Sequence, residues 1–247
     1  MEPLTLTPDS PFPTGGTAFG VDPCGRFGYV PIYPSFVEGY TIDSRTGALN
    51  SIPGSPFPRG ANGRGSAVAF EPKGRFVYVV NLTDNDVSAE AIDPATGALT
   101  EVPGSPFPAV EEPNSMAVDP RGKFAYVANQ ASDNVSGYTI DRRTGALTPI
   151  AGSPFPAGRV PISVAIDPNG RFAYVANVGA SSISAYAIDS KTGALTGIPG
   201  SPFPAGVYPG SIAITPCGRH PHELVTARCR DRREDWATEN TEDDQEH

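Results

Sequence analysis

The chain has 247 residues, among them 28 Pro and 27 Gly, a composition that excludes long helices and favours short strands between turns. A net charge of −9 repels phosphate backbones and sets nucleic acid aside as a partner. With no run of eighteen apolar residues, a membrane-spanning helix is set aside too, and three Cys are too few for a disulfide scaffold.

Three markers recur in one fixed order at a spacing close to 48 residues. Ser-Pro-Phe-Pro begins at Ser10, Ser55, Ser105, Ser153 and Ser201, and Thr-Gly-Ala-Leu at Thr46, Thr96, Thr144 and Thr192. Asp-Pro-x-Gly, followed by a base and Phe, begins at Asp22, Asp119 and Asp167. Glu71 stands in the Asp place of one copy, and a broken copy starts at Thr215.

In chain order, Met1–Thr7 shows no basic stretch followed by an apolar one, so no signal peptide is expected and cytoplasmic is the default compartment. Leu4–Thr7 reads as an isolated outer strand. Four whole units follow, over 16–58, 66–108, 114–156 and 162–204, then a partial one over 210–216 with an inner strand at Ser211–Thr215. The fourth unit is the clearest. Ser163–Asp167 is short and apolar, and Asp-Pro-x-Gly suits a type I turn because Pro sets φ and Asp accepts a backbone N–H. Arg171–Asn177 carries Phe172, Tyr174 and Val175, which favour strands. Ile183–Asp189 alternates with period two, Gly193 suits a hairpin turn needing positive φ, and Ala194–Ile198 is the fourth strand. The prolines of Ser-Pro-Phe-Pro suit an outermost strand, since they donate nothing to a ladder. Four antiparallel strands per unit, repeated, predict an all-β propeller fragment of four blades and an incomplete fifth.

The pattern stops at Pro216–Arg219, where His220-Pro-His follows in place of Phe-x-Tyr. Residues 1–216 hold 18 acids against 13 bases and 217–247 hold 9 against 5, and all three His lie in the last segment. Residues 217–247 are therefore read as an acidic, disordered tail, its simplest origin being a frameshift near codon 219. Cys217, His220, His222 and Cys229 are metal-ligand types at a spacing that matches no common zinc pattern, so no metal is expected.

Tyr126-Val-Ala-Asn129 and Tyr174-Val-Ala-Asn177 resemble the Tyr-Val-Thr-Asn repeat of one propeller group. Tyr138–Leu147 followed by Gly152-Ser-Pro-Phe155 resembles the lactonase-type seven-bladed propellers, which include 6-phosphogluconolactonases. The resemblance covers residues 1 to about 216 and implies a hydrolase of sugar lactones that needs no cofactor, with relatives that are often exported. It also implies a truncated ring, since seven blades need about 336 residues. The family is held to use His, Arg and Glu around the channel, and residues 1–216 contain no His, so no catalytic residue carries over.

Candidate sites come instead from places that vary on the repeating frame, where loops lead into the innermost strands. One such column holds Gly15, Arg64, Glu112, Val160 and Tyr208, the place before it Glu111 and Arg159, and two places later Ser66 and Asn114. Lactone hydrolysis needs a base to activate water and a cation or donor for the oxyanion, so Glu111 or Glu112 and Arg64 or Arg159 are the residues to place. The expected ligand is a small sugar lactone or a protein partner. The chain by itself is expected to be inactive, and the alternative is a non-catalytic binding module or remnant. Open blade faces further predict self-association. Asn81, Asn129 and Asn177 are expected to satisfy loop backbone, and Ile32 in the same place predicts a differently built loop in the first blade. Cys24 is a lone thiol in a turn place.

Overall fold

The computed structural model describes residues 18–214. The strand expected at Leu4–Thr7 and the tail over 217–247 lie outside those residues. Within them the chain is all-β apart from one 3₁₀ turn, Val178–Ala180. Blade 1 holds β1 (Gly20–Val21), β2 (Phe27–Ile32), β3 (Phe36–Ile42), β4 (Leu49–Ser51) and β5 (Phe57–Pro58). Blade 2 holds β6 (Gly65–Phe70), β7 (Phe76–Asn81), β8 (Asp86–Ile92), β9 (Leu99–Glu101) and β10 (Phe107–Pro108). Blade 3 holds β11 (Pro113–Val118), β12 (Phe124–Asn129), β13 (Asn134–Ile140), β14 (Leu147–Pro149) and β15 (Phe155–Pro156). Blade 4 holds β16 (Pro161–Ile166), β17 (Phe172–Asn177), β18 (Ser182–Ile188), β19 (Leu195–Gly197) and β20 (Phe203–Pro204). All pairings are antiparallel; the first four strands of each blade pair in sequence order, and the fifth pairs with the third.

The outermost strand is split, which the sequence pattern did not show. In blade 3, β14 pairs with the far end of β13 at Tyr138–Ile140, and β15 with its near end at Asn134–Val135. Ser153 bridges the gap. Its Oγ accepts the Gly137 N–H at 2.9 Å, while Gly137 O accepts the Ile150 N–H at 2.9 Å. The hydroxyls of Ser55, Ser105 and Ser201 accept an N–H in the same way, so in each described marker the serine takes the place of a ladder carbonyl where the outer strand is split.

Each Asp-Pro turn is closed by its own acid. Asp119, 2% exposed, accepts the Phe124 N–H at 2.8 Å together with the Lys123 and Arg121 amides. Asp43, Asp93, Asp141 and Asp189 likewise accept amides two and three residues on, and these bonds, after the Thr46 hydroxyl at Asp43, hold each carboxyl below the usual range.

The core lies in three seams between successive blades. Phe27, Tyr29, Val37, Ile52 and Phe57 of blade 1 meet Val77, Val79 and Ile92 of blade 2. Tyr78 and Phe76 of blade 2 meet Tyr138, Ile140 and Leu147 of blade 3, and Phe124 and Tyr126 meet Tyr186, Ile188 and Leu195 of blade 4. The Thr-Gly turn has a second task here. Gly97, Gly145 and Gly193 receive the ring of Phe27, Phe76 and Phe124 from the blade before, at 2.5 Å from where a Cβ would stand. Their carbonyls accept the hydroxyls of Tyr29, Tyr78 and Tyr126 at 2.7, 3.0 and 2.7 Å. Burial pushes all three tyrosines well above their ordinary pKa.

After blade 4, residues 209–214 form no strand, and residues 215–216 of the expected partial unit lie outside the description. Ile212 N–H nevertheless donates to Ser163 Oγ at 3.2 Å, as Val164 N–H donates to Ser115 Oγ at 3.3 Å. The chain therefore stays in phase with the repeat beside β16.

Candidate functional site

One end of every blade carries the hairpin between its second and third strands and the linker into the next blade's first strand. The varying column sits there. The carbonyls of Arg64, Glu112 and Val160 accept the amides of Leu82, Gln130 and Val178, each at 2.9 Å, so the three places are equivalent in space as well as in spacing. Glu112, Val160 and Tyr208 have φ of 51°, 55° and 56°. Left-handed backbone is unfavourable for any residue with a Cβ, and most so for β-branched Val. The preceding blade holds it in place. Asn85 Oδ1 accepts the Glu112 N–H at 2.9 Å and Asp133 Oδ1 the Val160 N–H at 2.8 Å.

Two places on, the first strands carry β-bulges, with the register slipping between Gly65 and Ala67, Pro113 and Ser115, and Pro161 and Ser163. Ser66, Asn114 and Ile162 are the extra residues. A bulge re-aims the side chain it carries. Ser66 Oγ reaches the next blade's Pro113 O at 3.0 Å, and Asn114 Nδ2 donates to Gln130 Oε1 at 2.8 Å.

Arg64, Glu111, Glu112, Asn114, Arg159 and Tyr208 are thus all brought to the hairpin end, on successive blades. Arg64, Glu111, Glu112, Arg159 and Tyr208 are exposed there and Asn114 is half-buried. Among the described residues no ion pair joins either arginine to either glutamate. A shallow groove lies at the opposite end of blade 3, bordered by Arg121, Lys123, Asp141 and Arg142. Its Lys123 is already committed to the Ser190 and Lys191 carbonyls at 3.0 and 2.9 Å.

The asparagines at the ends of the second strands do not serve loop backbone as expected. Asn129 Nδ2 donates to Asn134 Oδ1 at 2.7 Å and Ser136 Oγ at 2.9 Å, and Asn177 makes the same pair of bonds with Ser182 and Ser184. They pin the third strand to the second from inside the blade. In blade 1 Ile32 and Glu38 take the places of Asn and Ser, and the hairpin has three residues, 33–35, instead of four. Cys24 is disulfide-bonded rather than a lone thiol. Among the described residues no group of three His, Cys, Asp or Glu is placed to hold a metal ion; Cys217, His220, His222 and Cys229 lie outside them.

The family described as a lactonase, 7-bladed beta-propeller, matches residues 34–162 and 152–222. The chain belongs to this lactonase family. A candidate 6-phosphogluconolactonase from Bacteroides uniformis superposes with a TM-score of 0.68 at 18% identity, over 76% of this chain and 55% of its own. A Lactobacillus plantarum protein gives 0.63 at 20%, over 76% and 55%, and the periplasmic gluconolactonase of Pseudomonas aeruginosa 0.60 at 20%, over 73% and 52%. At these identities the likeness is one of fold. The chain spans about half the length of these solved structures. No curated protein matches it.

Within this lactonase-family chain, sequence reasoning missed two buried charged residues in the seam between blades 1 and 2. Glu90 stands in β8 where blades 3 and 4 have Tyr138 and Tyr186, and Arg59 follows Pro58 where the later blades have Ala109 and Ala157. Glu90 is 1% exposed and Arg59 4%. The signal was available, since both break a column that otherwise repeats. Glu90 lies within a strand, outside the loop columns from which the candidate sites were drawn.

Proposed function

We propose that the hairpin end of these blades binds a small sugar lactone, with Arg64 and Arg159 meeting its carbonyl oxygen and Glu112 its hydroxyls, and that the chain by itself does not hydrolyse it. The observation that carries this reading is the placement of Arg64 and Glu112 at one equivalent place on adjacent blades. The neighbouring bulges offer Ser66 and Asn114 beside them. Membership of the lactonase family supports the substrate class. Lack of hydrolysis is supported by the chemistry of the candidate base. Glu111 and Glu112 are exposed, and a base tuned for water activation is normally raised toward neutrality by burial. Residues 1–216 also supply no His for the proton transfer.

Calorimetric titration with glucono-δ-lactone and 6-phosphogluconolactone tests the binding. Binding that weakens about tenfold in Arg64→Ala, the loss expected for one charged hydrogen bond, is the expected outcome. Proton release by lactone hydrolysis is expected at the spontaneous rate. A faster rate that disappears in Glu112→Gln would show the chain to be an active hydrolase. If neither lactone binds, the exposed Tyr33, Val207 and Tyr208, 77%, 78% and 73% exposed, favour a protein partner instead.

A further inference from the structure

The three described seams are built alike except at one place. In the seams joining blades 2 and 3 and blades 3 and 4, a third-strand tyrosine reaches back to the preceding blade. Tyr138 donates its hydroxyl to Pro108 O and Tyr186 to Pro156 O, each at 2.6 Å. The residue after each of those prolines is an alanine. In the seam joining blades 1 and 2 the tyrosine is Glu90 and the alanine is Arg59, so both exceptions fall in one seam.

Arg59 ties that seam together. Its guanidinium donates to Asn81 Oδ1 of blade 2, to Gly63 O in the linker, and at 3.4 Å to Pro34 O of the blade 1 hairpin. Its Nε is buried without a partner, and so are both carboxyl oxygens of Glu90. Asn129 and Asn177, whose seams have alanine in place of arginine, keep a buried Oδ1 without a partner.

A carboxylate with no donors inside an apolar seam is far costlier than the neutral acid. Burial pushes the Glu90 carboxyl up to about 8, with Arg59 pulling it down and Glu101 on β9 pushing it up. Burial lowers Arg59, while Glu90, Asp84 and Asp86 hold it up. Asp86, in the β7–β8 hairpin, is itself pushed up by burial. The charged groups around the pair are therefore Glu101 from the outer strand and Asp84 and Asp86 from the hairpin. Tyr138, by contrast, is pushed up to about 12 and keeps one state throughout the neutral range.

We infer that Arg59 and Glu90 replace the tyrosine latch with a titratable one, so that this seam, alone among those described, loosens as pH rises toward mild alkalinity. Folded Glu90 holds its proton to a higher pH than the unfolded chain does. The contribution is then complete below the unfolded carboxyl's value and falls as pH rises toward the folded value. Between the two, the folding equilibrium constant drops by about tenfold per pH unit.

The experiment is denaturant unfolding of the full chain from pH 5 to pH 8. The proteins compared are the natural chain, Glu90→Gln and Arg59→Ala/Glu90→Tyr, which restores the pairing used in the other seams. The expected result is that the natural chain loses about tenfold per pH unit relative to both variants, whose profiles run parallel. Equal pH slopes in the natural chain and Glu90→Gln overturn the proposal. The single changes Arg59→Ala and Glu90→Tyr are expected to destabilise, with the double change recovering stability. Strictly additive effects mean the two residues are not a pair. If a single variant does not fold, the Glu90→Gln comparison decides alone.

Discussion

Side chains that close turns and bridge blades divide the work at the scale of single residues. Asp167 shows the first kind. Burial pushes its carboxyl up, but the amides of Phe172, Arg171 and Asn169 outweigh it and hold the group below the usual range. A folded value below the unfolded one means that the stability is present above the unfolded value, about pH 4, and is lost as pH falls through the folded value. Asp167→Asn is therefore expected to flatten the acid limb of a stability–pH curve, measured by urea unfolding. An unchanged limb would remove the carboxylate from the account. Tyr126 shows the second kind. Tyr126→Phe gives up the bond to Gly193 O and leaves that buried carbonyl unpartnered, a loss of about 1–2 kcal/mol. Tyr174 holds the same place in blade 4, half-buried and with no blade described after it, so Tyr174→Phe should cost little. Equal losses in the two variants would contradict the latch.

The Thr-Gly turn matters among the elements because it is a turn and a socket together. Gly145 has φ of 81°, and a Cβ there would lie 2.5 Å from the Phe76 ring, itself fixed in the seam. Gly25, in an Asp-Pro turn, has φ of 68° and open space around it. Gly145→Ala is expected to cost roughly 3 kcal/mol or more, from strain plus overpacking, and Gly25→Ala about 1 kcal/mol from backbone strain alone. Thermal or urea unfolding of the two variants separates the contributions. Losses of the same size would show that the socket has no weight of its own. The split outer strand follows the same economy, since a serine hydroxyl supplies the acceptor that lets a proline-bearing segment return to the ladder.

Across the whole molecule, the repeat makes each blade face complementary to the next, and the first and last described faces keep that chemistry. Phe203 is 39% exposed, whereas its equivalents Phe57, Phe107 and Phe155 are 7–9% exposed in the seams. Phe19, just before β1, and Val21 on it are 49% and 44% exposed, while Met116 in the place of Phe19 is 8% exposed. Apolar surface of this kind favours association. Light scattering is expected to show a mass that rises with concentration and falls in Phe203→Asp. A monodisperse, high-melting monomer at all concentrations would contradict it.

The repeat, the all-β blade and the turn chemistry were legible in the sequence by itself. They rest on local contacts, an acid and the amides two to five residues on, that recur at a fixed spacing. The placement of Arg64, Glu112 and Asn114 at one end of the blades followed from the same register. Tertiary structure alone decided the rest. Nothing local distinguishes a tyrosine that fills a seam from one that donates to a glycine carbonyl some 67 residues away. The bulges that carry Ser66 and Asn114 appear only when the first strand is set against the second. Arg59 and Glu90 stand in different columns of the repeat, and only the packing of two blades face to face buries both in one seam, away from the water each would otherwise use.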